Sequence, residues 1–186
     1  MDSYKEKPWH SYRDGIVDFL NLRKSGNPAH ASFEVDFTRA TNIISERRKQ
    51  GDKSNSTIAY LLWSFAQSVK QHPNMQGIKK NKKIILFDDV DIAMMFEKEL
   101  PDGEKVPVPY IFRAMQNKSY TDICNELASV KNKDISEFNR KQKSALFKAL
   151  PGFMRVFILK ILIKDPLKRK TALGTVAYST LGFSIR

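Results

Sequence analysis

Proton transfer near neutral pH calls for an imidazole, and this chain has three: His10, His30 and His72. They sit apart, in different settings. His10 lies in a polar N-terminal tail and His30 precedes a strand-like segment. His72 closes a helical one, where a cationic ring would favour the helix dipole. None of them stands out as a general base. A thiol nucleophile or a thiolate metal site would need cysteine, and Cys124 stands alone, which removes any disulfide framework and any multi-cysteine metal site. The stronger signal is charge. Between Arg140 and Lys170 there are ten basic residues and one acid, Asp165. A plain solvated helical face would explain such a run. So would a patch for a polyphosphate, formed by Lys168, Arg169 and Lys170 among others, such as the nucleotide end of coenzyme A. No recognisable nucleic-acid-binding motif accompanies it, so nucleic acid is not the expected partner.

Those residues need a frame. The 186 residues carry a formal net charge of +12, with 41% hydrophobic and 11% aromatic side chains, a globular composition able to bury a core. The N-terminus lacks the apolar core of a secretory signal. The most apolar stretch, Phe153 to Ile163, is interrupted by Arg155 and Lys160 and is about half of the roughly 20 residues a membrane crossing needs. A reducing compartment follows as the default, with the cytoplasm as the expected location.

The periodicities then place the elements. Ser11 to Leu22 reads as a short amphipathic helix ended by Gly26-Asn27-Pro28. Ala31 to Phe37 alternates with Phe33, Val35 and Phe37 on one side, the pattern of a half-buried strand. Thr38 is a candidate N-cap for a helix to about Lys49. Thr57 to Gln71 carries Ile58, Leu61, Leu62, Phe65 and Val69 at helical spacing and stops at Pro73. Lys82–Phe87 is strand-like. Val90–Phe96 and Val106–Phe112 form a hairpin around Pro101-Asp102-Gly103, and Pro107 and Pro109 put part of the second arm at an edge or a bulge. Ser119 is a candidate N-cap for a helix through Ile123, Leu127 and Val130. Further helices span about Ser136–Leu150 and Phe153–Ile163, the latter ended by Asp165-Pro166. Leu173–Ser179 reads as a last short strand. Interspersed helices and strands predict an α/β or α+β class with a mixed sheet.

In that order, several segments resemble one known family. Phe33-Glu34-Val35-Asp36-Phe37-Thr38 is similar to a family strand ending in an Asp-x-Thr turn. Gln71-His72-Pro73-Asn74 resembles a helix that closes with His-Pro and a nearby Asn. Asp91-Ile92-Ala93-Met94, then Val106-Pro107-Val108-Pro109 and Arg113-Ala114, resemble a hairpin with a Pro-Val-Ile-Arg type arm. Gly174-Thr175-Val176-Ala177-Tyr178-Ser179-Thr180-Leu181-Gly182 is similar to a Gly-Thr-Phe-Thr-x-Ser-Asn-x-Gly strand, with Thr180 in place of the Asn. Together they resemble the catalytic domain of the dihydrolipoamide acyltransferases of 2-oxo-acid dehydrogenase complexes, within the chloramphenicol acetyltransferase-like superfamily.

The resemblance implies a two-layer sandwich with a mixed sheet flanked by helices, and a division into an N-terminal helix and linker (1–28) and an acyltransferase-like region (29–186). It implies acyl transfer between coenzyme A and an acceptor thiol or similar nucleophile, without a metal, in a homotrimer whose active sites lie between subunits. Ser179 falls on the position of the family's oxyanion-stabilising serine; a strand-end serine bonded to nearby backbone is the simpler alternative. The family's base lies in a His-x-x-x-Asp-Gly motif beyond that serine, and none follows it within these 186 residues; the same spacing occurs only at His10-Ser11-Tyr12-Arg13-Asp14-Gly15, ahead of it. The expectation is therefore a domain stopped before its base and its last strands, inactive by itself. A non-catalytic binding or assembly module holding an anionic partner on its basic face is the competing expectation. The segment Phe147–Lys170 admits three roles: a lid over an acyl channel, a surface touching anionic lipid, or buried core.

Overall fold

The computed structural model describes residues 13–23, 29–52, 55–134 and 150–180. Its elements run α1 (Asp14–Arg23), α2 (Thr38–Lys49), α3 (Thr57–Gln71), β1 (Ile78–Lys80), β2 (Lys83–Ile85), β3 (Ile92–Glu99) and β4 (Lys105–Phe112). They continue with α4 (Tyr120–Asn132), α5 (Gly152–Leu162), α6 (Pro166–Leu173) and β5 (Val176–Tyr178). The helix expected over Ser136–Leu150 and the histidine His10 lie outside the described residues.

The hairpin forms as its sequence predicts. β3 and β4 pair antiparallel from Ile92↔Phe112 to Glu99↔Lys105. The sheet order is β4-β3-β5, so β4 is an edge, and its two prolines, opposite Glu97 and Met95, sit where a missing N–H does least harm. β5 joins the other side of β3 in parallel, which makes the sheet mixed. Period-2 alternation turns Ile92, Met94 and Phe96 toward the helices and leaves Met95 and Glu97 exposed. Against that inner face pack Ala59, Leu62, Ala66 and Val69 of α3 and Ile123, Cys124, Leu127 and Val130 of α4. Each Leu or Ile so buried contributes about 2 kcal/mol through removal of apolar surface from water. Cys124 is a buried core residue here.

The helix ends are closed by side chains. Ser56 accepts from the Ala59 amide at the start of α3. Ser119 and Asp122 form a reciprocal capping box on α4, which also holds the Asp122 carboxyl below its ordinary pKa. At the other end of α4, Lys98 Nζ reaches from β3 and donates to the carbonyls of Lys131 and Lys133, at 2.6 and 2.7 Å. That bond ties the helix to the sheet.

Several expectations need correction. Residues 29–37 carry no strand, and Phe33 and Val35 are 83% and 68% exposed. Alternation suits a strand only where a neighbouring strand takes up its backbone groups, and among the described residues none does. Thr38 is the first residue of α2 and not its cap; the Asp36 carboxylate accepts the Thr38 amide instead, at 2.9 Å. Asp165-Pro166 ends one helix and starts another, because Asp165 accepts from the amides of Leu167 and Lys168 and proline suits the first helical position. The α5 segment is not core. None of its residues is buried, and it packs on α1, where Arg155 reaches Asp18 (2.9 Å) and Asp14 (3.8 Å). α1 is also tied to the β3–β4 turn by an Arg13–Glu104 ion pair. The β1–β2 hairpin includes a strand missed by the sequence reading; it turns at Asn81, which takes a positive φ of 55°. Among the described residues no helix is long and apolar enough to cross a membrane.

Candidate functional site

Asp91 is the hub from which the last strand hangs. Its side chain is 4% exposed, and both carboxylate oxygens are used. Oδ1 accepts the Ala114 amide at 2.9 Å and Oδ2 accepts Arg113 Nη1 at 2.8 Å. Burying a carboxylate is least costly when its oxygens are paired and hydrogen-bonded in this way. The Asp91 backbone is engaged as well. Its N–H donates to the Thr175 hydroxyl at 3.0 Å, and its carbonyl accepts the amides of Thr175 and Val176 at 2.8 and 3.2 Å. Arg113 also donates to the carbonyls of Lys170 (3.0 Å) and Thr171 (2.6 Å) near the end of α6. One ion pair therefore clamps the start of β3, the end of β4 and the helix that leads into β5.

Gly174 lets the chain make the turn between them. It has φ 72° and ψ −174°, backbone that only glycine adopts readily. A Cβ there would stand 2.7 Å from the Asp91 carbonyl oxygen, so the close approach of the two strands also requires its absence. From Gly174 the chain enters β5, paired as Ile92↔Val176, Ala93↔Ala177 and Met94↔Tyr178. Ser179 stands one residue beyond the last pair. It is exposed, and among the described residues no hydrogen bond engages its hydroxyl.

Beside the hub lies a second, buried brace. Gln116 accepts the Val90 amide at 2.9 Å and donates to Asp89 at 3.0 Å. Asp89 also holds Lys170 Nζ at 3.2 Å, and that ammonium lies 5.7 Å over the Phe87 ring. The Gln116 bond first, and the lysine second, hold the Asp89 carboxyl below its ordinary pKa. Of the three cations singled out in the sequence, Lys170 is thus committed to a structural pair, whereas Lys168 and Arg169 are exposed on α6. His30 and His72 are exposed, one in an irregular segment and one capping the end of α3. Among the described residues no three His, Cys, Asp or Glu side chains converge as a metal site.

The sequence model of the 2-oxoacid dehydrogenases acyltransferase (catalytic domain) family matches residues 1–141. The chain belongs to that family. The match takes in the Asp91–Arg113 clamp and the whole β3–β4 hairpin; Gly174 and Ser179 lie beyond it. Two solved structures of the same architecture agree in fold. A truncated catalytic core of the 2-oxoacid dehydrogenase multienzyme complex from Thermoplasma acidophilum superposes with a TM-score of 0.56 at 20% identity, over 75% of this chain and 62% of that one. A probable dihydrolipoamide acetyltransferase from Listeria monocytogenes does so with a TM-score of 0.55 at 22% identity, over 69% of this chain and 55% of that one. The present chain thus spans 62% and 55% of the lengths of the two. No curated protein matches it. The mixed sheet flanked by helices, expected from the sequence, is the fold of these acyltransferase cores.

Asp91, Arg113 and Gly174 appear in the sequence only as pieces of motifs. Their roles as clamp and turn escaped the sequence reading, because they depend on a contact across 84 residues, between Asp91 and Thr175. The signal was present in the pairing of a strand-leading Asp with an Arg that follows the opposite arm.

Proposed function

We propose that this acyltransferase-family chain provides the oxyanion-stabilising part of a site that moves an acyl group between coenzyme A and an acceptor thiol or similar nucleophile. The observation that carries the reading is Ser179, an exposed hydroxyl that no described residue hydrogen-bonds, at the end of a strand fixed by the Asp91–Arg113 clamp. Attack of a thiolate on the thioester carbonyl carbon turns the carbonyl oxygen into an alkoxide. A hydroxyl held where that charge develops stabilises the tetrahedral intermediate more than the ground state. Collapse then expels the coenzyme A thiolate. The attacking thiol loses its proton to an imidazole, and the same group returns it to the leaving thiolate. The chain's one His-x-x-x-Asp-Gly sequence is His10-Ser11-Tyr12-Arg13-Asp14-Gly15, ahead of Ser179 and not beyond it, and in this reading His10 is the candidate base. Lys168 and Arg169 are the candidates for the coenzyme A phosphates. Their exposure supports this, while Lys170 is already neutralised by Asp89.

Two measurements test it. Calorimetric titration of the chain with coenzyme A should give saturable binding that weakens when Lys168 and Arg169 are both changed to Ala. In an acyl-transfer assay, Ser179→Ala should lower kcat about a hundredfold with little change in KM. Unchanged turnover would remove Ser179 from the mechanism. No saturable coenzyme A binding, together with steeply salt-dependent binding of a generic polyanion, would favour the non-catalytic module instead.

A further inference from the structure

Helix α5 is inside out. A surface helix of a water-soluble domain turns its apolar stripe inward and its charges outward. α5 sends its arginine, Arg155, inward to the α1 carboxylates Asp14 and Asp18, and that guanidinium is only 15% exposed. Outward it presents Phe153 (76% exposed), Phe157 (64%), Ile161 and Met154. Phe153, Phe157 and Ile161 recur every four residues and so lie on one face. Lys160 and Lys164 fall on the same side, both exposed. Among the described residues no carboxylate pairs with Lys160, Lys164 or Arg169.

The cationic apolar surface continues onto α6. Past the α5–α6 corner, Leu167 is 69% exposed beside Lys168. The Asp165 carboxyl is held below its ordinary pKa first by the amides of Lys168 and Leu167 that it caps, and also by the positive charges of Lys80 and Lys168. The tip of the β1–β2 hairpin exposes Lys80, Lys82 and Lys83 around Asn81, with Ile84 68% exposed on the following strand. Large apolar side chains ringed by lysines, with a single acid that is already used as a helix cap, are the surface chemistry of helices that lie in a membrane interface. The length agrees. Eleven residues make a rod of about 16 Å, enough to lie on a bilayer and too short to cross its roughly 30 Å core.

We propose that the outer face of α5, together with Lys160 and Lys164, docks this protein onto an anionic lipid bilayer. Phe153 and Phe157 enter the acyl boundary and the lysines meet the headgroup phosphates. The proposal is independent of Ser179 and of the acyl-transfer reading. A second copy of the chain could also cover an apolar face. Repulsion between two lysine-ringed faces favours the lipid surface over that pairing.

The test is co-sedimentation with vesicles of phosphatidylcholine alone and of phosphatidylcholine mixed with phosphatidylglycerol. The protein should pellet with the anionic vesicles and stay in solution with the neutral ones. Phe157→Glu should weaken the partition at least about tenfold, and Lys160→Ala and Lys164→Ala about fivefold each. Because these side chains are exposed, the urea midpoint should not move. Phe157→Trp gives a readout that does not depend on loss of binding: its fluorescence should be quenched by lipids brominated on the acyl chain. Absence of pelleting with anionic vesicles overturns the proposal. So does Phe157→Glu pelleting like the parent, which would mean charge alone is at work. A Phe157→Glu change that only dissociates an oligomer, with neither form pelleting, would assign the face to a second copy.

Discussion

Replacing Gly174 by Ala tests whether the strand carrying Ser179 is held by backbone contact with Asp91. Two penalties act at this position. The φ of 72° with ψ of −174° lies where an L-residue is strained by about 1–3 kcal/mol. The added Cβ would meet the Asp91 carbonyl oxygen at 2.7 Å and the Ala93 nitrogen at 3.3 Å, backbone atoms that cannot swing away. Overpacking of that kind costs about another 1–3 kcal/mol, for about 4 kcal/mol in all. Gly103 is the internal control. It has a φ of 81° and nothing within 4 Å of its would-be Cβ, so Gly103→Ala should cost only about 1 kcal/mol. With a urea slope of about 2 kcal/mol per molar, the two midpoints should differ by about 1.5 M. Hydrogen exchange supplies the second readout: the Thr175 and Val176 amides, which donate to Asp91, should be the first to lose protection. Equal midpoints for the two variants would refute the close-approach argument.

Two further outcomes follow from geometry. Burial first, and then the Glu126 carboxylate that accepts its hydroxyl, push the Tyr110 phenol up to about 12 from 10.0. Between those values the unfolded chain loses a proton that the folded one keeps, so stability falls as pH rises from 10 toward 12. Urea midpoints across that range should decline, and less steeply in Tyr110→Phe; an identical slope would discard the assignment. Ser119→Ala removes the cap of α4 and should lower stability by about 1 kcal/mol in the same assay, with Ser119→Asp restoring most of it.

What could be read from the sequence was what local chemistry decides. α3 was legible at both ends, since Pro73 stops it and its apolar residues recur at helical spacing. The hairpin was legible from Pro101-Asp102-Gly103, and even its edge position from Pro107 and Pro109. Ser119 announced its helix. The failures share a cause: each depended on what lay opposite. Phe33 and Val35 alternate as a strand does, yet no partner strand takes them up among the described residues. Phe153 and Phe157 looked as fit for core as Leu62 does, and only the Arg155 contact with α1 shows which way α5 is turned. Ser179 was chosen on a motif; the clamp that holds its strand became visible only when Asp91 and Thr175 were seen together.

The parallel pairing of β5 with β3 has a kinetic side. The hairpin β3–β4 closes a short turn and can form early, while β5 must find its place from 84 residues away. Closing so long a loop brings no reward until the Asp91 bonds are made, so the pairing belongs late in folding. On a ribosome the hairpin and α4 would be complete well before β5 emerges. Substitutions in the Asp91–Thr175 contact should therefore speed unfolding and leave the folding rate nearly untouched, and the strand bearing Ser179 would be the last to arrive and the first to leave.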